Sequence, residues 1–238
     1  MKRFSGSQST MTRFPFSQWI RRNWLISFSG IATLLAATPV FAHHAMGGRL
    51  PANFFEGFLS GLAHPIIGFD HFAFIVAVGF LAASKRQGVL IPIAFVLTAM
   101  AGTGLHLLGL SLPAVEIFVA SSILLFGILL ATPERLSSAV IIGLAAVSGL
   151  FHGYAYGESI LGAEMTPMLA YLVGFTVIQL VISGAAFWIA KRLLRRSHQS
   201  MEVSVEQLVA PFRSIGLVIC GIGIAFLSSQ IVNAIFPV

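Results

Sequence analysis

His64-Pro65-Ile66-Ile67-Gly68-Phe69-Asp70-His71 lies inside an apolar run that extends from about Asn53 to Ala83. A bilayer-spanning helix takes about 20 apolar residues, so this run is long enough to cross. Ionisable groups at membrane depth are costly and normally face a bundle interior or a water-filled cavity. Two histidines and an aspartate in one span therefore point to an ion site. Read as a continuous helix, the spacing puts His64, Gly68 and His71 on one face. Asp70 falls about 100° round from His71, within reach of a shared ion or of the imidazole it would orient. Pro65 donates no backbone hydrogen bond, which deprives the Gly61 carbonyl of its helical partner and invites a kink or a break.

The rest of the chain has the composition such a span demands. Of 238 residues, 57% are hydrophobic and 9% charged, with a mean hydropathy of +0.91. Soluble domains carry about 25% charge, so the class is all-α integral membrane protein. The net charge of +6 sits in a basic leader and in loops, which is a topology signal and implies no nucleic-acid partner. The single cysteine, Cys220, excludes a disulfide within the chain and a thiolate metal cluster.

Residues 1–42 read as a cleavable signal peptide, with a basic start, an apolar stretch from Leu25 to Ala37, and Val40 and Ala42 at the small-residue positions of a cleavage site. The mature domain, 43–238, would then open on His43-His44. A free amine beside two imidazoles suits a tetragonal Ni²⁺ or Cu²⁺ site.

Six transmembrane helices are expected after the leader, at about 55–83, 89–109, 114–132, 136–156, 166–190 and 213–236. With the mature N-terminus outside, loops one, three and five hold Lys85, Arg86, Arg135, Lys191, Arg192, Arg195 and Arg196. The outer segments hold Arg49 and the acidic Glu56, Glu158 and Glu164. The positive-inside rule and the signal peptide thus agree on both termini of the mature chain lying outside. On this topology His64, His106, His152 and Glu158 lie in the outer half of the membrane, and Asp70 and His71 lie one to two turns deeper. Lys191 to Pro211 is expected to form a basic cytoplasmic loop.

A second chemical stretch is Phe151-His152-Gly153-Tyr154-Ala155-Tyr156-Gly157-Glu158. His152 and Tyr156 share a helix face, and Gly153 and Gly157 allow a neighbouring helix to approach closely. His-Pro-x-x-Gly-x-Asp-His in the first span and the His-Gly stretch in the fourth resemble the motifs of the HupE/UreJ family of nickel and cobalt permeases. The second match is approximate, because Gly157 stands immediately before Glu158. The resemblance extends over the leader, the His-His-Ala-Met-Gly-Gly start, Phe54-Phe55-Glu56-Gly57-Phe58 and the six spans. It implies that His64, Asp70, His71, His152 and Glu158 handle the metal.

The resulting expectation is a bacterial inner-membrane permease, not an enzyme, which moves Ni²⁺ or Co²⁺ inward with no permanently bound cofactor. Neutral imidazole with a few carboxylates suits borderline divalent ions better than Mg²⁺. His43 and His44 would help capture the ion, with His106, Glu116 and Tyr156 as further residues of the path. Beyond the ion and the bilayer, the partners considered are a second copy of the chain or a complex in which it is an accessory subunit. The other reading is a haem-binding electron-transfer protein. His64 and His71 lie in one helical stretch and cannot clamp both haem faces, whereas His106 with His152 could.

Overall fold

The computed structural model describes residues 49–132, 136–199 and 205–236. The expected signal peptide, residues 1–42, and His43, His44 and Arg135 lie outside the described residues. Among the described residues the structure is all-helical, with seven helices: α1 Phe54–Ile67, α2 Phe69–Ser84, α3 Leu90–Leu107, α4 Val115–Ala131, α5 Ser138–Glu158, α6 Met165–Gln199 and α7 Val205–Ile235. α3, α5, α6 and α7 are each long and apolar enough to cross a membrane. α1 and α2 qualify together as one broken span, bent by 79°. α4 is apolar but has 17 residues, about 25 Å at 1.5 Å per residue. The chain is a multi-pass membrane protein.

Local chemistry sets the helix ends. Asn53 caps α1: its side chain accepts the Glu56 N–H at 3.0 Å, while the Glu56 carboxylate accepts the Ala52 N–H at 2.8 Å. This reciprocal arrangement satisfies amides that a helix start leaves without partners. Ser137 caps α5 through the Val140 N–H. α4 starts on Ala114 in the left-handed region, at φ 50°. The expected basic loop from Lys191 to Pro211 is largely helical instead. Lys191-Arg192-Leu193-Leu194-Arg195-Arg196 contains no Gly or Pro and consists of strong helix formers, so α6 continues to Gln199. There Arg192 lies 3.6 Å from the ring centroid of Trp188, a pairing suited to a membrane interface.

α2 is the centre of the bundle. From Ala73 to Ala83 only Val76 is not buried, and α2 packs against α3, α4, α6 and α7. The remaining helices associate chiefly as pairs: α3 with α5, α4 with α7, and α1 with α6. Glycine makes each pairing possible. A Cβ at Gly153 would strike the Ala99 backbone, one at Gly61 the Tyr171 carbonyl, and one at Gly216 the backbone of Gly127 and Ala131. Lipid offers little apolar driving force between helices, so close backbone approach and interhelical hydrogen bonds hold such pairs. Thr103 Oγ1 donating to the Gly153 carbonyl at 2.7 Å is one of those bonds. Leu97, Val147, Leu180, Trp188 and Ile231 face outward, as a surface solvated by lipid requires.

Candidate functional site

The 79° bend falls at Gly68, and it changes how the first motif works. The stretch is not one helix face. Gly68 is extended, at φ −72° and ψ 94°. Its N–H bonds the His64 carbonyl at 3.0 Å, and its own carbonyl accepts the Phe72 N–H at 2.9 Å. It closes α1 and opens α2. His64 therefore sits in the last turn of α1 and Asp70 in the first turn of α2. The Asp70 carboxylate suits the helix dipole at the start of α2. Pro65 lies inside α1, and the chain turns three residues after it. A Cβ on Gly68 would meet His71 Cδ2 at 2.9 Å and Asp70 Oδ1 at 3.1 Å, so any side chain there would displace these two groups.

The bend brings the motif against α5. His71 Nδ1 and His152 Nδ1 stand 2.8 Å apart. His152 Nε2 lies 2.9 Å from Ser122 Oγ on α4, and Ser122 donates to the Val119 carbonyl at 2.7 Å. Phe74 of α2 and Phe95 of α3 pack on the His152 ring, with centroids at 4.3 and 5.8 Å. Four helices thus converge on His152, which is fully buried. Asp70 Oδ1 accepts the backbone N–H of His71 at 2.8 Å, and its Oδ2 is 3.9 Å from His71 Nε2.

Tyr156, one turn after His152, links the two halves of the motif. Its ring centroid lies 4.2 Å from that of His71 and 4.9 Å from that of His64. The His64 and His71 rings are 6.0 Å apart. Phe175 of α6 packs on Tyr156 at 4.4 Å. Tyr171 donates to the Tyr156 carbonyl at 3.2 Å and shares a 3.0 Å hydrogen bond with Ser159. Among the described residues, Tyr156 Oη, Thr176 Oγ1 and Gln179 Oε1 are buried without a hydrogen-bond partner. Buried polar atoms left in that state are rare and cost about 1–3 kcal/mol each.

His64, Asp70, His71, His152 and Tyr156 are brought together. Glu158 is not: it closes α5 at an exposed position. His106 is half-buried, with its ring 4.4 Å from Tyr154 and its Cβ in the space a Gly157 side chain would need. Glu116 lies half-buried in the first turn of α4. Among the described residues, no three His, Cys, Asp or Glu side chains are close enough together to hold a metal ion. Ser122 and Tyr171 are parts of this interior that the sequence reading did not single out.

Comparison with known proteins follows the same residues. The model of the family described as HupE / UreJ protein matches residues 31–226. This chain belongs to the HupE/UreJ family. Protein HupE of Rhizobium leguminosarum bv. viciae is 32% identical over 161 residues, which cover 66% of this chain and 81% of that protein. The HupE/UreJ match takes in α1 to α6 and the first two-thirds of α7, and with them every residue of the buried cluster. No solved structure matches the chain significantly.

Proposed function

We propose that this HupE/UreJ protein carries a divalent transition-metal ion, Ni²⁺ or Co²⁺, inward across the bacterial inner membrane as a facilitator or secondary carrier. The observation that carries the reading is the buried His71–His152 pair at 2.8 Å, with Asp70 beside it and His64 across Tyr156. Metal–imidazole bonds of about 2.0–2.1 Å hold two adjacent ring nitrogens about 3 Å apart. To bind both rings the ion displaces the proton held between the two Nδ1 atoms, and the rings turn until both lone pairs face it.

In this mechanism His43, His44 or the exposed Glu158 captures the hydrated ion outside. His64 replaces a water ligand first. The ion then passes to His71 and His152, with the Asp70 carboxylate balancing its charge, and leaves inward by ligand exchange. Imidazole and carboxylate together suit Ni²⁺ and Co²⁺, and selection over Cu²⁺ and Zn²⁺ rests on geometry and supply. This sequence carries no nucleotide-binding motif, so a chain acting alone would use the ion gradient or the membrane potential.

Six spans with both mature termini outside fit this reading. Lys85 Nζ donates to the Leu136 carbonyl at 2.7 Å, which puts the α2–α3 and α4–α5 connections at one end of the bundle. Leu50 lies beside Gly162 at the other end. The haem alternative loses ground because α3 and α5 meet through backbone at Gly102, Gly149 and Gly153, and His152 is held by His71 and Ser122 while His106 packs on Tyr154.

The test is ion uptake in a strain lacking its own nickel and cobalt importers, at matched membrane expression. Wild type should accumulate Ni²⁺ or Co²⁺, and His64→Ala, Asp70→Asn and His71→Ala should not. Normal transport by the variants would make the motif structural and remove the main support for the proposal.

A further inference from the structure

Ser122 is a small polar residue in an apolar helix, 7% exposed, and its two hydrogen bonds have only one consistent polarity. Its Oγ lies 2.7 Å from the Val119 carbonyl. A carbonyl oxygen has no proton, so the hydroxyl hydrogen must be on that bond. Toward His152 Nε2, at 2.9 Å, the same oxygen can therefore only accept. Nε2 must carry the hydrogen. A neutral imidazole has one N–H, so the lone pair of His152 sits on Nδ1 and points at His71.

We infer that Ser122 is a positioning residue for the transported ion: its hydroxyl fixes the His152 tautomer and makes Nδ1 the nitrogen that meets the metal. The inference rests on the transport reading for its function, and on the two hydrogen bonds alone for its chemistry. Metal-binding histidines commonly donate their second N–H to a carboxylate, carbonyl or water that sets ring and tautomer. Here a neutral hydroxyl takes that place. It orients the ring without adding the basicity that a carboxylate partner would, and a weaker ligand suits a site that must release its ion. Phe74 and Phe95 pack on the ring and limit its reorientation, but neither can tell one nitrogen from the other. Ser122 can.

The experiment compares wild type, Ser122→Ala and Ser122→Thr, with His152→Gln used to assign signals. Purified metal-free full-length protein, ¹⁵N-labelled at histidine, reports the tautomer by NMR. Co²⁺ uptake in the importer-deficient strain reports the half-saturating concentration. Wild type should show His152 protonated at Nε2, and Ser122→Ala should shift that signal and raise half-saturation about tenfold or more. Ser122→Thr keeps the hydroxyl and should restore both. A wild-type His152 protonated at Nδ1, or Ser122→Ala with both readouts unchanged, would overturn the inference. Equal losses of uptake in Ala and Thr variants would also overturn it, by assigning the effect to packing. If wild type takes up no ion, the transport reading fails, and the NMR arm still decides the tautomer.

Discussion

His71 and His152 are 81 residues apart in sequence, and their Nδ1 atoms are 2.8 Å apart in the bundle. Two imidazoles that close face each other through one proton, and in the proposed transport mechanism they act as one binding element. Removing either should therefore cost as much as removing both. His71→Ala, His152→Ala and the double variant should all take up Ni²⁺ or Co²⁺ at the rate of membranes lacking the protein. Groups that act as a unit are strongly non-additive in this way. A double variant clearly worse than either single one would show that the two rings contribute independently.

Gly68 gives a second prediction, because its constraint is steric and not conformational. Its φ of −72° is open to any residue, so alanine should not disturb the backbone. The added Cβ would nonetheless come within 2.9 Å of the His71 ring and 3.1 Å of the Asp70 carboxylate. Both groups must shift by a few tenths of an ångström. A misplacement of about 1 Å can cost a hundredfold in a positioned site, so a several-fold to tenfold loss of uptake is expected. Membrane abundance measured by immunoblot should stay at the wild-type level.

Sequence and structure agree most closely where apolar runs end in punctuation. Gly88 and Gly109 bracket α3, and Pro113 and Thr132-Pro133 bracket α4, so these spans were legible to within two residues. The bend was half legible. Pro65 pointed to a break, but the chain stays helical for two residues beyond it, and the extended Gly68 makes the corner. The resemblance grouped His71 with His152, but their contact was not legible from the residues, since it depends on how α2 and α5 pack. The same holds for His106. By type and setting it looks like His152, yet it faces Tyr154 and not the centre. Ser122 reads like any small residue of a span until His152 is placed against it.

The pairing of α3 with α5 can be tested through two glycines of α5. A Cβ at Gly153 would strike the Ala99 backbone, whereas one at Gly143 would meet nothing within 4 Å. Gly153→Ala forces the helices apart and strains the bond from Thr103 to the Gly153 carbonyl. It should lower the stability of the purified protein by about 1–3 kcal/mol, the usual range for overpacking. Gly143→Ala should be neutral or slightly stabilising, since alanine is the better helix former. Thermal unfolding of the two variants in the same detergent would separate them. Equal melting temperatures would argue against this helix pairing.

Acid should inhibit transport, and the sign follows from the ligands. Metal binds neutral imidazole, so protons compete with the ion at His64, His71 and His152. Uptake should therefore fall as the medium is acidified. Displacing one proton per ion gives a loss of about tenfold per pH unit in the acid limb. Initial rates of Co²⁺ uptake into vesicles held at constant membrane potential would check this. A rate that stays flat or rises on acidification would mean that these rings are not the ligands.

Asp70 and Glu158 are both acidic and both belong to the family-like motifs, but their surroundings predict different roles. Asp70 is 3% exposed, accepts the His71 N–H, and lies where its charge can act in a low-dielectric interior. Neutralising it removes the one buried carboxylate among the described residues, and an interior ion left without a counter-charge is strongly disfavoured. Asp70→Asn should abolish uptake at any salt concentration. Glu158 is exposed at the end of α5, so its field is screened within about 8–10 Å at physiological ionic strength. Glu158→Gln should raise the half-saturating concentration two- to threefold at low salt, leave the maximal rate unchanged, and match wild type once salt is added. If Glu158→Gln instead lowers the maximal rate at all salt concentrations, the carboxylate takes part in passage of the ion, and the end of α5 must close over the site during transport.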